Sequence, residues 1–339
     1  MKLLTIILLL TLNLSYAIGL KALVIPNSAE MIALSSTGIA GNIDSEINPA
    51  SMKMIQPYVG FSNNQWFGDL TGSKITYFWR DNSLISFESL GLDDIELRDD
   101  IPTDDPIGYT EAKWLALYIA QDINLEKILP FTSTIDLGYK LKLNYSKLHI
   151  DKYHGYTLDI GFKKHINDQF VLGGTIQNIG KEYMGSSYVT IDPRIGFGIS
   201  YKFKLANWGT SAINNENSID KTTGELSLLL YTDILYEDDK IIYRIATKTD
   251  FPYVNIMLGS SYSEGYRDFS YGLSFDFNTW SFIYGSLNHE NPILGSPTCI
   301  EIRKYFLGIN NDENYEHSLT ILAGAKKEIF DFFDNVKVN

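Results

Sequence analysis

The sequence predicts an all-β fold: a transmembrane antiparallel β-barrel of about 14 strands. Three observations lead there. Apolar and polar residues alternate from about residue 55 to residue 326, the alternating runs are long, and helical periodicity is nearly absent.

The chain opens MKLLTIILLLTLNLSYAIG. Lys2 is followed by a short apolar run, Leu3 to Leu14, and then by small residues in Ser15-Tyr16-Ala17, the layout of a cleaved signal peptide over residues 1–17. The run falls short of the roughly 20 residues that a membrane helix needs. Its removal takes one charge and shifts the net charge from −13 by a single unit, an acidic balance that argues against nucleic acid as a partner. Cys299 is the only cysteine, so the fold contains no intrachain disulfide.

The run STIDLGYKLKLNYS at 133–146 shows the pattern: Ile135, Leu137, Tyr139, Leu141, Leu143 and Tyr145 share one face, against Asp136, Gly138, Lys140, Lys142 and Asn144. Residues 154–162, 191–203 and 269–277 repeat it. Weaker versions cover 73–79, 113–121, 170–178, 225–236, 280–287 and 318–325. Many runs reach roughly 9–14 residues, whereas strands of soluble domains cluster near 5–6. A tilted membrane strand needs about 9–11. On this reading Ile135, Leu137, Tyr139, Leu141 and Leu143 face lipid, while Asp136, Lys140, Lys142 and Asp159 face the lumen. The polar faces also carry Gly138, Gly161, Gly196, Gly198 and Gly272, small residues that make room for a folded-in segment; glycines that mark bends or bulges are the alternative.

HIDKY and HINDQ read as short turns, and 91–108, 207–223 and 310–316 as long loops. Short turns at one rim and long loops at the other would suit a barrel. The acidic run LDDIELRDDIPTDD lacks EF-hand spacing and reads as a solvated loop. The five histidines show no zinc spacing, and neither a phosphate loop nor a Gly-x-Ser-x-Gly elbow is present. No enzyme, metal site or cofactor is expected. Asn144-Tyr145-Ser146 matches a glycosylation sequon but lies within a predicted strand.

SAEMIALSSTGIAGNIDSEINPASM, at 28–52, precedes the first strand, and IDLGYKLKLNYSKL…GYTLDIGFKKHINDQFVLGGTIQNIGKEY follows within the alternating region. Together they resemble the FadL superfamily of outer-membrane proteins, and within it the PorV/PorQ-like branch. The resemblance implies a 14-stranded barrel with an N-terminal plug at 18–52, a barrel at 53–326 and a tail at 327–339. It places Asp44, Asn48, Pro49 and Ala50 at the junction of plug and wall. Pro49 fixes its own φ and biases Asn48 toward extended backbone. Two departures stand out. The family's acidic pair before Asn-Pro-Ala is here Asp44 with Glu46 nearby, and the chain ends FDFFDNVKVN rather than in a strand-terminal aromatic. Residues 326–336 read as an amphipathic tail with Ile329, Phe330, Phe332 and Phe333 on its apolar side.

The resemblance implies passive transport of hydrophobic or amphipathic small molecules across the outer membrane of a Gram-negative-type bacterium. The steps would be capture at the outer face, plug movement, and exit through a lateral gap. The expected partners are outer-membrane lipid and either a hydrophobic solute or an exported protein. The latter belongs to the alternative function, a PorV-like component of type IX secretion that holds exported cargo. A soluble, carbohydrate-binding β protein is the third reading, with its greasy faces turned inward.

Overall fold

The computed structural model describes residues 23, 25–52, 56–79, 82–98, 105–124, 135–208, 224–251, 253–277, 279–289 and 295–306. The expected signal peptide, the run 318–325 and the tail lie outside them. The first strands are β1 (Tyr58–Gln65), β2 (Thr71–Trp79), β3 (Ser83–Leu97), β4 (Gly108–Asn124) and β5 (Ile135–Leu148). Next come β6 (Asp151–His165), β7 (Phe170–Met184), β8 (Ser187–Ile191), β9 (Arg194–Trp208) and β10 (Gly224–Glu237). The remainder are β11 (Lys240–Asp250), β12 (Val254–Ser263), β13 (Tyr266–Phe277), β14 (Trp280–His289) and β15 (Thr298–Tyr305).

All of them except β8, 14 of the sheet's 15 strands, form a closed antiparallel ring. β15 closes it on β1, with Tyr58 opposite Tyr305 and Gln65 opposite Thr298. β8 continues β9 toward the far rim in the same register against β7, Met184 opposite Ser187 and Phe170 opposite Tyr201, and pairs with no other strand among the described residues. Closure leaves no unpaired edge in the spanning wall, the condition for strands in hydrocarbon.

Burial is sorted the opposite way from a soluble protein. On β5, Leu141 and Leu143 are 45% and 53% exposed, while Lys140 and Lys142 are 1% and 2% exposed. Exposed Ile160, Phe197, Ile199, Ile245, Leu273 and Phe275 continue the apolar surface around the ring. Only a hydrocarbon surrounding makes such a belt favourable.

β1 begins and β15 ends at the same rim, here the chain-end rim; the opposite one is the far rim. Two sequence expectations are corrected. Residues 91–97 are not loop: β3 runs on to Leu97 and pairs with β4, Leu97 opposite Gly108, so the hairpin projects past the apolar belt and its acidic residues are solvated on a strand. Short and long connections are not segregated either. The turn at 149–150 lies at the far rim with the β3–β4 connection, and that at 166–169 lies at the chain-end rim with the β9–β10 connection. Asn144 of the sequon points into the lumen and is buried.

A closed barrel in detergent should migrate differently on an SDS gel before and after boiling. Leu141→Lys, in the middle of the belt, should lower the unfolding free energy in lipid by about 2–4 kcal/mol, read from urea titrations of the reconstituted protein.

Candidate functional site: a plugged lumen

Residues 25–52 fold into the lumen. α1 (Ala29–Ala33) is a single turn capped by Ser28, whose Oγ accepts from the Met31 amide. The segment ends in a 3-10 turn at Pro49–Met52. Nearly all of it is buried, and Ile32, Leu34, Ile39, Ile43 and Ile47 pack on Tyr231, Leu235 and Met257 of the wall.

The wall makes room with glycine. A Cβ added at Gly138 would fall on the Pro49 backbone, and at Gly161 on the Asn48 side chain. Gly173, Gly259, Gly272 and Gly285 lie in the same way under Ile39, Leu34, Ala33 and Ala29. These glycines serve close approach of two backbones.

Asn48 is fully buried. Its Nδ2 donates to the Ile39 carbonyl at 2.7 Å and to the Phe162 carbonyl of β6 at 3.2 Å. Its Oδ1 accepts from the Ala50 amide at 2.9 Å. One side chain thus ties the plug to itself and to the wall, and starts the turn that Pro49 and Ala50 continue.

Charge completes the attachment. Glu46 Oε2 lies 2.8 Å from Lys140 Nζ and 3.0 Å from Lys142 Nζ, and Lys140 also meets Asp159 at 2.7 Å. Lys74 pairs with Asp44 at 3.3 Å. The three lysines surround the Tyr118 ring at 5.2–5.6 Å from its centroid. Burial pushes the Glu46 carboxyl up, but these lysines more than reverse it and hold the group well below the usual carboxylate range. Glu30 of α1 behaves alike: Lys248 at 2.6 Å and Arg303 at 3.1 Å outweigh its burial and lower it. Asp233 of β10 accepts from the Gly38 amide at 2.6 Å and the Ile39 amide at 3.2 Å, at a corner where Gly38 has φ 127°.

Asp44, Asn48, Pro49, Ala50, Lys140, Lys142 and Asp159 therefore lie in one region. Asp136, on the same inward face of β5 and nearer the chain-end rim, is buried and meets His165 Nε2 at 2.8 Å. The sequence reading passed over Lys74, Glu88, Asp233, Arg244, Lys248 and Arg303. Strand parity was the available signal, since Asp233 sits in LLLYTDILY at an inward position.

Between plug and wall two cavities of about 20 Å³ remain, each with room for about one water. Above the plug, toward the far rim, a cavity of about 390 Å³ opens. Trp66, Phe67, Ile242, Tyr266 and Leu287 form its apolar side, with Phe67 and Tyr266 against the His289 ring at 5.8 and 6.2 Å. Arg194, paired with Glu237 at 3.0 Å, and Arg244, which donates to the Ser36 carbonyl at 2.9 Å, form its polar side.

No family model and no curated protein matches the chain. Solved structures do match. A CymD monoaromatic hydrocarbon channel is 11% identical with a TM-score of 0.50, covering 83% of this chain and 98% of that one. A TodX monoaromatic hydrocarbon channel mutant is 10% identical at 0.50, covering 83% and 99%. A FadL homologue of Pseudomonas aeruginosa is 9% identical at 0.45, covering 84% and 99%. The architecture is similar to that of FadL-type outer-membrane channels. At such identity the likeness concerns the FadL-type fold alone.

Glu46→Ala would leave Lys140 and Lys142 buried without their plug partner, at a cost of about 3–5 kcal/mol to plug docking. Hydrogen exchange should then quicken at plug amides and stay slow in the strands, with heat-dependent gel mobility retained.

Proposed function

We propose that the protein is a passive outer-membrane channel for hydrophobic or amphipathic small molecules, gated by its plug. One observation carries this reading. The lumen is sealed by a chain segment held without covalent bonds, directly below a cavity of about 390 Å³ with one apolar and one polar side. A molecule with a greasy body and a polar end fits such a lining. The neighbours described as monoaromatic hydrocarbon channels agree with this solute class.

In this mechanism the far rim faces outward and the solute collects in the cavity above Ser35 and Ser36. Asp44, Asn48, Pro49 and Ala50 form the junction about which the plug yields, and Lys140, Lys142 and Asp159 are its wall-side holders. Asp159 also accepts from the Asn178 amide at 2.7 Å, where β7 bulges and Asn178 takes φ 63°. There β8 continues β9 in the same register against β7, but the ladder with β10 stops at Ile195 opposite Tyr236 and β8 has no strand partner on that side among the described residues, so the wall beside the cavity is interrupted between β8 and β10. Glu46, Lys140, Asp159 and Asn178 thus form a line of contacts from plug to bulge. Loosening the plug relaxes the bulge, and the solute leaves sideways through the interruption.

Asn48→Ala removes two donated bonds and one accepted bond, each worth about 0.5–1.5 kcal/mol net. In reconstituted liposomes it should raise the flux of a small aromatic or amphipathic probe while boiling still shifts gel mobility. Unchanged flux through a correctly folded variant overturns the gating role. Unchanged flux with loss of a retained exported protein supports the PorV-like alternative of cargo holding.

A further inference from the structure

At the far-rim edge of the apolar belt, one outward cross-strand row changes character along its length. Thr298, Gln65, Thr71 and Gly91 stand opposite one another on β15, β1, β2 and β3. The row continues through Lys113, Lys147 and Lys152 on β4, β5 and β6. Beyond Gly91, β3 carries Asp93 and Asp94 into solvent, so the row lies where hydrocarbon gives way to headgroups. Its uncharged half suits that level without further help. The other half sets three lysines side by side, and like charges directly opposite on neighbouring strands repel.

Carboxylates answer only part of this charge. Glu111 is bonded to Lys113 and accepts from Lys147 Nζ at 2.9 Å, and Asp93 lies 3.6 Å from Lys113. Lys152 is exposed and has no ion-pair partner among the described residues. Below the lysines, the side chains are graded by depth. The next row toward the middle of the belt is Leu115, Tyr145, His154, Tyr183 and Tyr188. Its rings touch, Tyr183 lying 5.8 Å from His154 and 5.9 Å from Tyr188. After it come Leu117, Leu143 and Tyr156, with Lys181 over the Tyr188 ring at 4.2 Å, and then Ile119, Leu141 and Leu158. Cations, amphipathic rings and aliphatic side chains thus follow the order of headgroup, linkage and acyl chain in a lipid leaflet.

We propose that the β4–β6 face at the far rim binds an anionic lipid, its phosphate held by Lys113, Lys147 and Lys152 and its chains lying along the rows beneath. A phosphate presents oxygens to several ammonium groups at once and offsets their repulsion. Covalent attachment to acyl chains places that phosphate at the level of the row and uses the aromatic and aliphatic rows, which a free anion would leave idle. The site rests on the transmembrane placement and is independent of what the channel carries.

Native mass spectrometry of the protein in detergent with equal amounts of phosphatidylglycerol and phosphatidylcholine tests this. Phosphatidylglycerol should be retained in preference. Lys147→Gln with Lys152→Gln should lower that preference at least about tenfold while boiling still shifts gel mobility. Lys152→Gln alone, at an exposed position with no ion pair to lose, should lower it in the same direction. Arg267→Gln should leave it unchanged, since Arg267 stands outward at the same rim on β13, over the Tyr262 ring at 6.0 Å and away from the row. Equal retention of the two lipids marks binding by tails alone and overturns the proposal. So does an undiminished preference in the folded lysine variants, or a loss in Arg267→Gln as large as theirs, which marks general surface charge. Displacement of phosphatidylglycerol by millimolar inorganic phosphate also overturns it, in favour of a site for the free ion.

Discussion

Hydrocarbon offers no hydrogen bonds, and every other feature of this molecule follows from that constraint. A strand in lipid must find both neighbours, so the sheet has to close. Once closed, each strand has an outer face chosen by lipid and an inner face screened from it. Charges that would be costly outside collect inside, where they need partners. The plug supplies them.

Wall and plug are accordingly written in complementary residues. The wall brings lysines and arginines from β2, β5, β11 and β15, and the plug brings Asp44, Glu46 and Glu30. Where side chains would obstruct, the wall is glycine and the backbones meet directly. Buried ion pairs are poor sources of net stability, because desolvation offsets much of the attraction. They are well suited to an attachment that holds in one geometry and is lost when a single contact shifts. Apolar packing of Ile32, Leu34 and Ile39 supplies the remainder and is less sensitive to position.

Legibility in the sequence followed the surroundings of each strand. β5, β6, β9 and β13 were readable because one face meets lipid and the other meets polar groups along their full length. β1 and β15 were not, since Asn63, Gln65 and Thr298 break the alternation on the outer face. The end of β3 was misread as loop because, beyond the belt, its outward face is wet and its acidic residues lose their contrast. At the site, parity was enough to turn Lys140, Lys142 and Asp159 inward. It could not tell that Asp136, four residues before Lys140, meets His165 near the rim. Nor could it match Glu46 to lysines nearly a hundred positions away, since that pairing exists only once the ring has closed.

The order of the chain adds a last consequence. The plug precedes β1, and the ring closes when β15, late in the chain, reaches β1. A lumen left with cavities of about 20 Å³ around the plug has no space through which a folded segment could be threaded afterward. The wall must therefore be laid down around the plug, as staves around a core.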